Sequence, residues 1–246
     1  MLQILYKVYF WLIAVPLFVV STILTASIVI IGCSLGGENF FSYYPGMVWS
    51  RLTCILTLCP VKVKGREHIH KKQSYVFVSN HQSAFDIFLI YGYLGVPIKW
   101  MMRKGLAKIP FVGYACRKAG FTFVDNTSAR AAHKSIREAE LSLKHNRSLI
   151  VFPEGSRTPD GHLGQFKRGA YQIAVERQLP IVPLTLNGPY KVMPIHSWNI
   201  RPHRIEMIIH PPIDSQKKNG DEKERLQQLL ETTKTAIFSD LWDEFK

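Results

Sequence analysis

Residues 75–86 read YVFVSNHQSAFD, and how this stretch divides decides the fold. Its first five residues are aromatic or β-branched apart from the closing serine, the composition of a buried strand. His81 and Asp86 stand five apart. Inside one helix, at about 100° per residue, their side chains would point roughly 140° away from each other. The spacing is better served by a break. A strand over 75–79 leads into a turn carrying His81, and a helix follows whose first turn carries Asp86, so that the carboxylate bends back to the ring.

Short β-rich runs alternate with helical patterns along the rest of the chain. Further strands are expected over 61–65, 98–102, 121–124, 148–152, 181–186 and 204–209. A helix is expected over 127–145, where Ala132, Ile136, Ala139 and Leu143 share one face and Asn126 or Thr127 can cap it. Another is expected over 168–178. A last one, over 221–244, has Leu226, Leu230, Thr233, Ile237 and Leu241 on one face. This alternation predicts the α/β class: a mixed, mostly parallel sheet flanked by helices. Residues 211–222 read as a surface loop, and there are no internal repeats or low-complexity tracts.

The start of the chain is different. No charged residue occurs from Val8 to Gly37, a run longer than the roughly 20 residues that span a bilayer. A cleaved signal is the competing reading, but the run continues past the small residues Thr25-Ala26-Ser27 into further isoleucines. A retained, membrane-embedded helical element is therefore expected. A second apolar segment, Tyr43 to Val61, is broken by Arg51 and bounded by Pro45 and Pro60. It reads either as an interfacial helix or as the return arm of a hairpin. Pro16 is expected to kink the first helix, and both a full crossing and a one-leaflet embedding remain open. The expected division is an anchor of one or two helices over 1–60 and an α/β domain over 61–246. Lys62, Lys64, Arg66, Lys71 and Lys72 follow the anchor. The positive-inside rule then places the domain on the cytoplasmic side of the inner membrane.

Charge points to an anionic partner. The chain has 31 Lys and Arg against 18 Asp and Glu, a formal net charge of +13. Residues 1–60 hold only Lys7, Arg51 and Glu38, so the surplus lies in the α/β part. A phospholipid surface, a phosphorylated substrate or an acidic carrier protein would suit it. Nucleic acid is not expected, because neither an aromatic–basic RNA-binding signature nor zinc-finger spacing occurs. Cys33, Cys54, Cys59 and Cys116 form no C-x-x-C pair and are expected as free thiols, with no disulfide and no metal site.

Two polar clusters begin where strands end: SNHQSAFD at 79–86 and PEGSRTPDG at 153–161. Open α/β sheets bind ligands at the carboxyl ends of their strands, so parallel strands would bring both clusters to one edge. A carboxylate on one imidazole nitrogen fixes the tautomer and leaves the other nitrogen free to take a proton, which is the equipment of a general base. Spacing alone equally admits a satisfied polar corner. In the second cluster, Gly155 permits close approach of backbone to ligand, Arg157 can grip a phosphate with two parallel hydrogen bonds, and turn N–H groups can hold an anion or an oxyanion. Its competing reading is an ordinary turn at Thr158-Pro159-Asp160-Gly161 with a solvated arginine. Beside a His/Asp pair, in a basic domain at a membrane, the anion-binding reading is preferred. A G-x-S-x-G match at Gly32–Gly36 lies at the end of the apolar run, outside any strand–turn–helix context. With no placed nucleophile, the base is expected to activate a hydroxyl of the substrate.

Asn80-His81-x4-Asp86 and Phe152-Pro153-Glu154-Gly155-Ser156-Arg157 together resemble the motif pair of the glycerolipid acyltransferases, most closely the bacterial 1-acyl-sn-glycerol-3-phosphate acyltransferases. Three later segments resemble that family in the same order: Lys104-Gly105-Leu106-Ala107-Lys108-Ile109-Pro110-x2-Gly113, Phe166-Lys167-x-Gly169 and Val182-Pro183-Leu184. The resemblance covers about residues 50–210. It implies that His81, helped by Asp86, deprotonates a glycerol hydroxyl, which attacks an acyl thioester on coenzyme A or acyl carrier protein without an acyl-enzyme. It implies phosphatidate as product, made from lysophosphatidate in phospholipid biosynthesis. Glu154, Gly155 and Arg157 would bind the glycerol phosphate, Lys104 would be a further phosphate ligand, and Asn80 and Ser156 complete the expected substrate contacts. No metal or prosthetic group is implied. Two positions depart from the family: Gly105, where Glu or Ser is frequent, and Asn126, where Arg is usual. The second leaves another lysolipid, such as a lysophospholipid or a lyso-aminolipid, open as the acceptor.

Overall fold

The computed structural model describes residues 1–125, 135, 137, 147–197, 199–216 and 221–246. Seven strands form one sheet: β1 (Val61–Lys64), β2 (Val76–Ser79), β3 (Ile98–Arg103), β4 (Thr122–Val124), β5 (Ser148–Val151), β6 (Ile181–Asn187) and β7 (Ile205–Ile209), in the order β1-β7-β6-β2-β5-β3-β4. Only the β6–β7 pair is antiparallel; the other neighbours run parallel. The sheet is mixed and mostly parallel, as the alternation of strands and helices predicts. Helices are α1 (Leu2–Ser34), α2 (Tyr44–Leu56), α3 (Phe85–Tyr93), α4 (Val112–Lys118), α5 (Gly169–Glu176) and α6 (Glu222–Ser239).

β2 sits in the middle and is buried along its whole length. Its side chains alternate between two cores. Phe77 joins Phe85, Leu89 and Ile90 of α3 on one face. Val76 and Val78 join Ile173 and Val175 of α5 and Leu226 and Leu230 of α6 on the other. The chain leaving β2 crosses β5 to reach β3, while the chain leaving β5 crosses β2 to reach β6. The two connections run in opposite directions and put α3 and α5 on opposite faces of the sheet, so the ends of β2 and β5 form a topological switch point, where such sheets place ligands.

The helix expected over 221–244 stops at Ser239. Its last carbonyls are claimed by β6: Thr185 Oγ1 donates to Ile237 O (3.0 Å) and Asn187 Nδ2 to Asp240 O (2.8 Å). The short 310 turn Lys104–Lys108 and α4 were not foreseen in the sequence. The helix expected over 127–145 lies, apart from Ser135 and Arg137, outside the described residues.

α1 is one helix of 33 residues, apolar and mostly unburied. Pro16 does not break it. A π turn at Phe10–Ala14, just upstream of the proline, absorbs the missing N–H and the ring's clash with the preceding turn. α2 has 13 residues, about 20 Å, which is shorter than a bilayer crossing. One side of it packs on α3. A Cβ at Gly46 would lie 2.3 Å from the Tyr91 ring, and Arg51 Nε donates to Gly92 O (2.7 Å). Val48, Leu52 and Ile55 face outward. The outward apolar surface of α1 and α2 is exposed and fits association with a membrane. Glu38, the only acid in the first 60 residues, is fastened to the sheet by Lys99. The buried Lys99 ammonium donates to Glu38 Oε1 (3.1 Å) and to Ala119 O, and burial pushes its pKa below the usual lysine range.

Candidate active site

The parallel pairing of β2 and β5, with Val76, Phe77 and Val78 opposite Leu149, Ile150 and Val151, brings the two polar clusters side by side. His81 leaves the end of β2, and Pro153–Arg157 leave the end of β5. The turn and helix expected around His81 and Asp86 are present, with Asp86 in the first turn of α3.

Asp86 is fully buried. Its Oδ2 accepts from His81 Nδ1 (2.7 Å) and from the backbone N–H groups of Gln82 (2.7 Å) and Ser83 (2.8 Å). An ionised carboxylate only accepts, so the hydrogen sits on Nδ1 and Nε2 carries the free lone pair. Phe152, at the end of β5, stacks on the imidazole with centroids 3.9 Å apart and planes 13° from parallel. The His81 side chain keeps 17% of its surface exposed, so the ring is held on two sides and open on a third.

The clusters are stitched together through the backbone of His81. Its N–H donates to Glu154 Oε1 (3.0 Å), and its carbonyl accepts from Thr158 N–H (3.0 Å). Gln82 Nε2 donates to Gly161 O (2.6 Å). Glu154 is buried, with the Gly164 backbone against its Oε2. Burial pushes its pKa up to about 7, against the N–H groups of His81 and Gly164 that lower it, and the Asp86 charge adds to the rise. Among the expected substrate ligands, Glu154 thus sits beneath the site rather than on its surface. Asn80 does the same. Its amide donates to Leu186 O (3.0 Å) and accepts from Leu186 N–H (2.9 Å), so both polar ends are committed to β6.

Gly155 and Ser156 are exposed and Arg157 half-buried. Gly155 has φ +78°, which favours glycine at this turn, and Lys167 folds over it, its Nζ 2.7 Å from where a Cβ would stand. Among the described residues, Arg157 and Lys167 have no acidic partner. Two cations, not one, thus stand without an acidic partner at the turn after β5, Lys167 folded over Gly155 and Arg157 next to Thr158, whose N–H bonds His81 O. Lys167 stands in the Phe166-Lys167-x-Gly169 segment, but its place at this turn became visible only once the chain folded back, with its N–H on Pro153 O (2.9 Å). Lys104, at the end of β3 on the same edge, is exposed and paired with Asp125 (Nζ–Oδ2 2.7 Å), which raises its pKa. Gly105 faces open space, so a side chain fits there. Asn126 lies outside the described residues. All four cysteines are free thiols. Among the described residues no group of His, Cys, Asp and Glu could hold a metal ion.

A model of the family described as "Acyltransferase" matches residues 60–187. A chloroplastic 1-acyl-sn-glycerol-3-phosphate acyltransferase of Arabidopsis thaliana is 32% identical over 179 residues, 72% of this chain and 50% of its own length. A 1-acyl-sn-glycerol-3-phosphate acyltransferase of Pseudomonas aeruginosa is 29% identical over 186 residues, 75% of this chain and 70% of its own. The chain spans about half the length of the plant relatives it matches. The crystal structure of the 1-acyl-sn-glycerophosphate acyltransferase from Thermotoga maritima superposes with a TM-score of 0.77 at 27% identity, covering 98% of both chains. A family model that matches half of the chain places this protein in the acyltransferase family, and its fold is shared end to end with that of the Thermotoga maritima enzyme.

Proposed function

We propose that the protein is a membrane-associated O-acyltransferase that moves a fatty acyl group from a thioester donor, acyl-CoA or acyl carrier protein, to the sn-2 hydroxyl of 1-acyl-glycerol-3-phosphate, forming phosphatidate. The observation that carries this reading is the pairing of a tautomer-fixed imidazole with an exposed cationic turn at one switch point. His81 Nε2 takes the proton of the acceptor hydroxyl. The oxygen attacks the thioester carbonyl, the C–S bond breaks as the C–O bond forms, and the proton passes from His81 to the departing thiolate. Asp86 stabilises the imidazolium in between. Arg157, Lys167, the N–H groups around Gly155 and Ser156, and Lys104 hold the phosphate. Glu154 and Asn80 position the loops that carry these groups.

Residues 1–60 serve as the anchor and 61–246 as the acyltransferase domain, which faces the cytoplasm at the inner membrane in keeping with the basic residues after the anchor. An apolar cavity of about 90 Å3 between α1, α2, α3 and α4, lined by Ala26, Val29, Trp49, Tyr91, Ala115 and Phe121 among others, has room for a few methylene groups of an acyl chain. The test is product analysis with purified protein in detergent, palmitoyl-CoA or palmitoyl-carrier protein as donor, and lysophosphatidate, other lysophospholipids and lyso-aminolipids as acceptors. Phosphatidate that forms with the wild type and disappears with His81→Ala supports the reading. Free fatty acid without acylated acceptor would replace transfer by hydrolysis, and acylation of a phosphate-free acceptor alone would make Asn126 the decisive position.

A further inference from the structure

Between β3 and the body of α4 the chain presents four large apolar side chains to the outside. Leu106, Ile109 and Tyr114 are about two-fifths exposed and Phe111 is 58% exposed. Around them Arg103, Lys104, Lys108, Arg117 and Lys118 are all exposed, and residues 103–118 contain no acid.

The backbone holds this display in place. Gly113 N–H donates to Ile109 O (2.8 Å), and a Cβ on Gly113 would lie 2.3 Å from Ala107 O, so only glycine lets the two turns close. Val112 N–H donates to Pro110 O (2.6 Å) around Phe111, whose φ is +58° and ψ −54°. This is a γ-turn of the rare, strained hand. The turn is held by these backbone hydrogen bonds, and it presents the Phe111 ring to the outside rather than to the core.

Two placements identify what this outward face meets. α4 is packed on α1, Ala115 and Ala119 against Ala26 and Val29, so the exposed apolar group continues the unburied apolar surface of α1. The segment also starts at the carboxyl end of β3, the sheet edge that carries His81. Apolar rings ringed by lysine and arginine match a boundary with acyl chains on one side and anionic headgroups on the other.

We infer that residues 103–118 form a second membrane contact, separate from the N-terminal helices, that inserts Phe111 and Ile109 at the headgroup–acyl boundary of an anionic bilayer and seats the sheet edge carrying His81 on the lipid surface. The inference rests on the membrane-associated acyltransferase reading and deepens it. The occupant is lipid rather than an acidic carrier protein because the apolar group is continuous with α1.

The test uses the full chain with a benzophenone amino acid in place of Phe111, reconstituted with phosphatidylglycerol vesicles and irradiated. The same replacement at Phe238, exposed on α6 over the opposite face of the sheet, is the control. We expect phospholipid adducts by mass spectrometry at position 111 and none at 238. No adduct at 111, or equal adducts at both, overturns the inference. This readout needs no turnover, so its failure is separable from failure of the acyltransferase reading. A second arm measures the double variant Ile109→Ser, Phe111→Ser. KM for a long-chain acceptor in vesicles should rise by about tenfold, while KM for a short-chain acceptor dissolved in water should stay unchanged. A defect seen only with a carrier-protein donor would overturn the inference in favour of carrier docking, and an equal loss with the soluble acceptor would make the segment part of the binding pocket.

Discussion

The turn after β2 and the turn after β5 leave neighbouring parallel strands, yet they are finished in opposite ways. The first is closed. Asp86 Oδ2 takes three hydrogens, the His81 backbone is bonded at both N–H and C=O, and Phe152 covers one face of the ring. The second is open. Gly155 and Ser156 are exposed, and among the described residues Arg157 and Lys167 lack acidic partners. A general base gains from being oriented before substrate arrives. A site for a charged headgroup keeps its cations free for the ligand. On this reading chemistry and recognition are divided between two turns, and variants in them should fail differently.

The largest expected effect is in the closed turn. His81→Ala should lower kcat by roughly 10²–10⁴-fold with the fold intact, checked by steady-state rates beside a circular-dichroism melt. Asp86→Asn comes next. All three hydrogen bonds converge on Oδ2, so an amide oxygen can still take them, but the neutral amide does not stabilise the imidazolium and buries an NH2 where Oδ1 has no partner. We expect kcat to fall by at least about 10²-fold, together with a melting temperature lowered by a stability loss of about 1–3 kcal/mol. A normal kcat in Asp86→Asn would reduce the carboxylate to a helix-end contact.

In the open turn, Arg157→Ala should act on affinity. Loss of a charge-assisted contact of about 1.5–3 kcal/mol corresponds to a KM for lysophosphatidate raised roughly 10- to 150-fold. kcat should hardly move, and a split measurement of kcat and KM separates the two turns directly.

The effect at the seam is smallest on turnover and is read on stability instead. Glu154 has its folded pKa raised from 4.5 to about 7 by burial. The folded state therefore binds a proton more tightly than the unfolded chain. The neutral carboxyl favours the fold fully below about pH 4.5, and that contribution is lost as pH rises to about 7, an amount on the order of 3 kcal/mol. Glu154→Gln keeps an oxygen for the His81 N–H and cannot ionise. Its melting temperature should therefore fall less than that of the wild type between pH 5 and 8. Parallel curves for the two proteins would mean that Glu154 stays ionised and finds a partner in the folded state.

The closed turn was legible in the sequence because a five-residue spacing fits one geometry well, strand, turn and helix start, and because the flanking strands are plain apolar runs. The β2–β5 adjacency was legible only conditionally, since periodicity does not state which strands pair. Asn80 and Glu154 look like any polar motif residue. Their burial depends on Leu186, more than 100 positions away, and on the loop around Gly164. α4 and the γ-turn were missed because KGLAKIPFVGYACRK has no clean helical or strand period. Its order comes from the Gly113–Ala107 approach, a tertiary contact.

The most direct test of the division of labour compares kcat/KM for lysophosphatidate with that for the matching monoacylglycerol, which lacks only the phosphate, in the wild type, Arg157→Ala and His81→Ala. We expect Arg157→Ala to collapse the preference for the phosphate-bearing acceptor, and the residual activity of His81→Ala to retain that preference while both rates fall together. An unchanged preference in Arg157→Ala, or a preference lost in His81→Ala, would contradict the assignment of recognition to one turn and chemistry to the other.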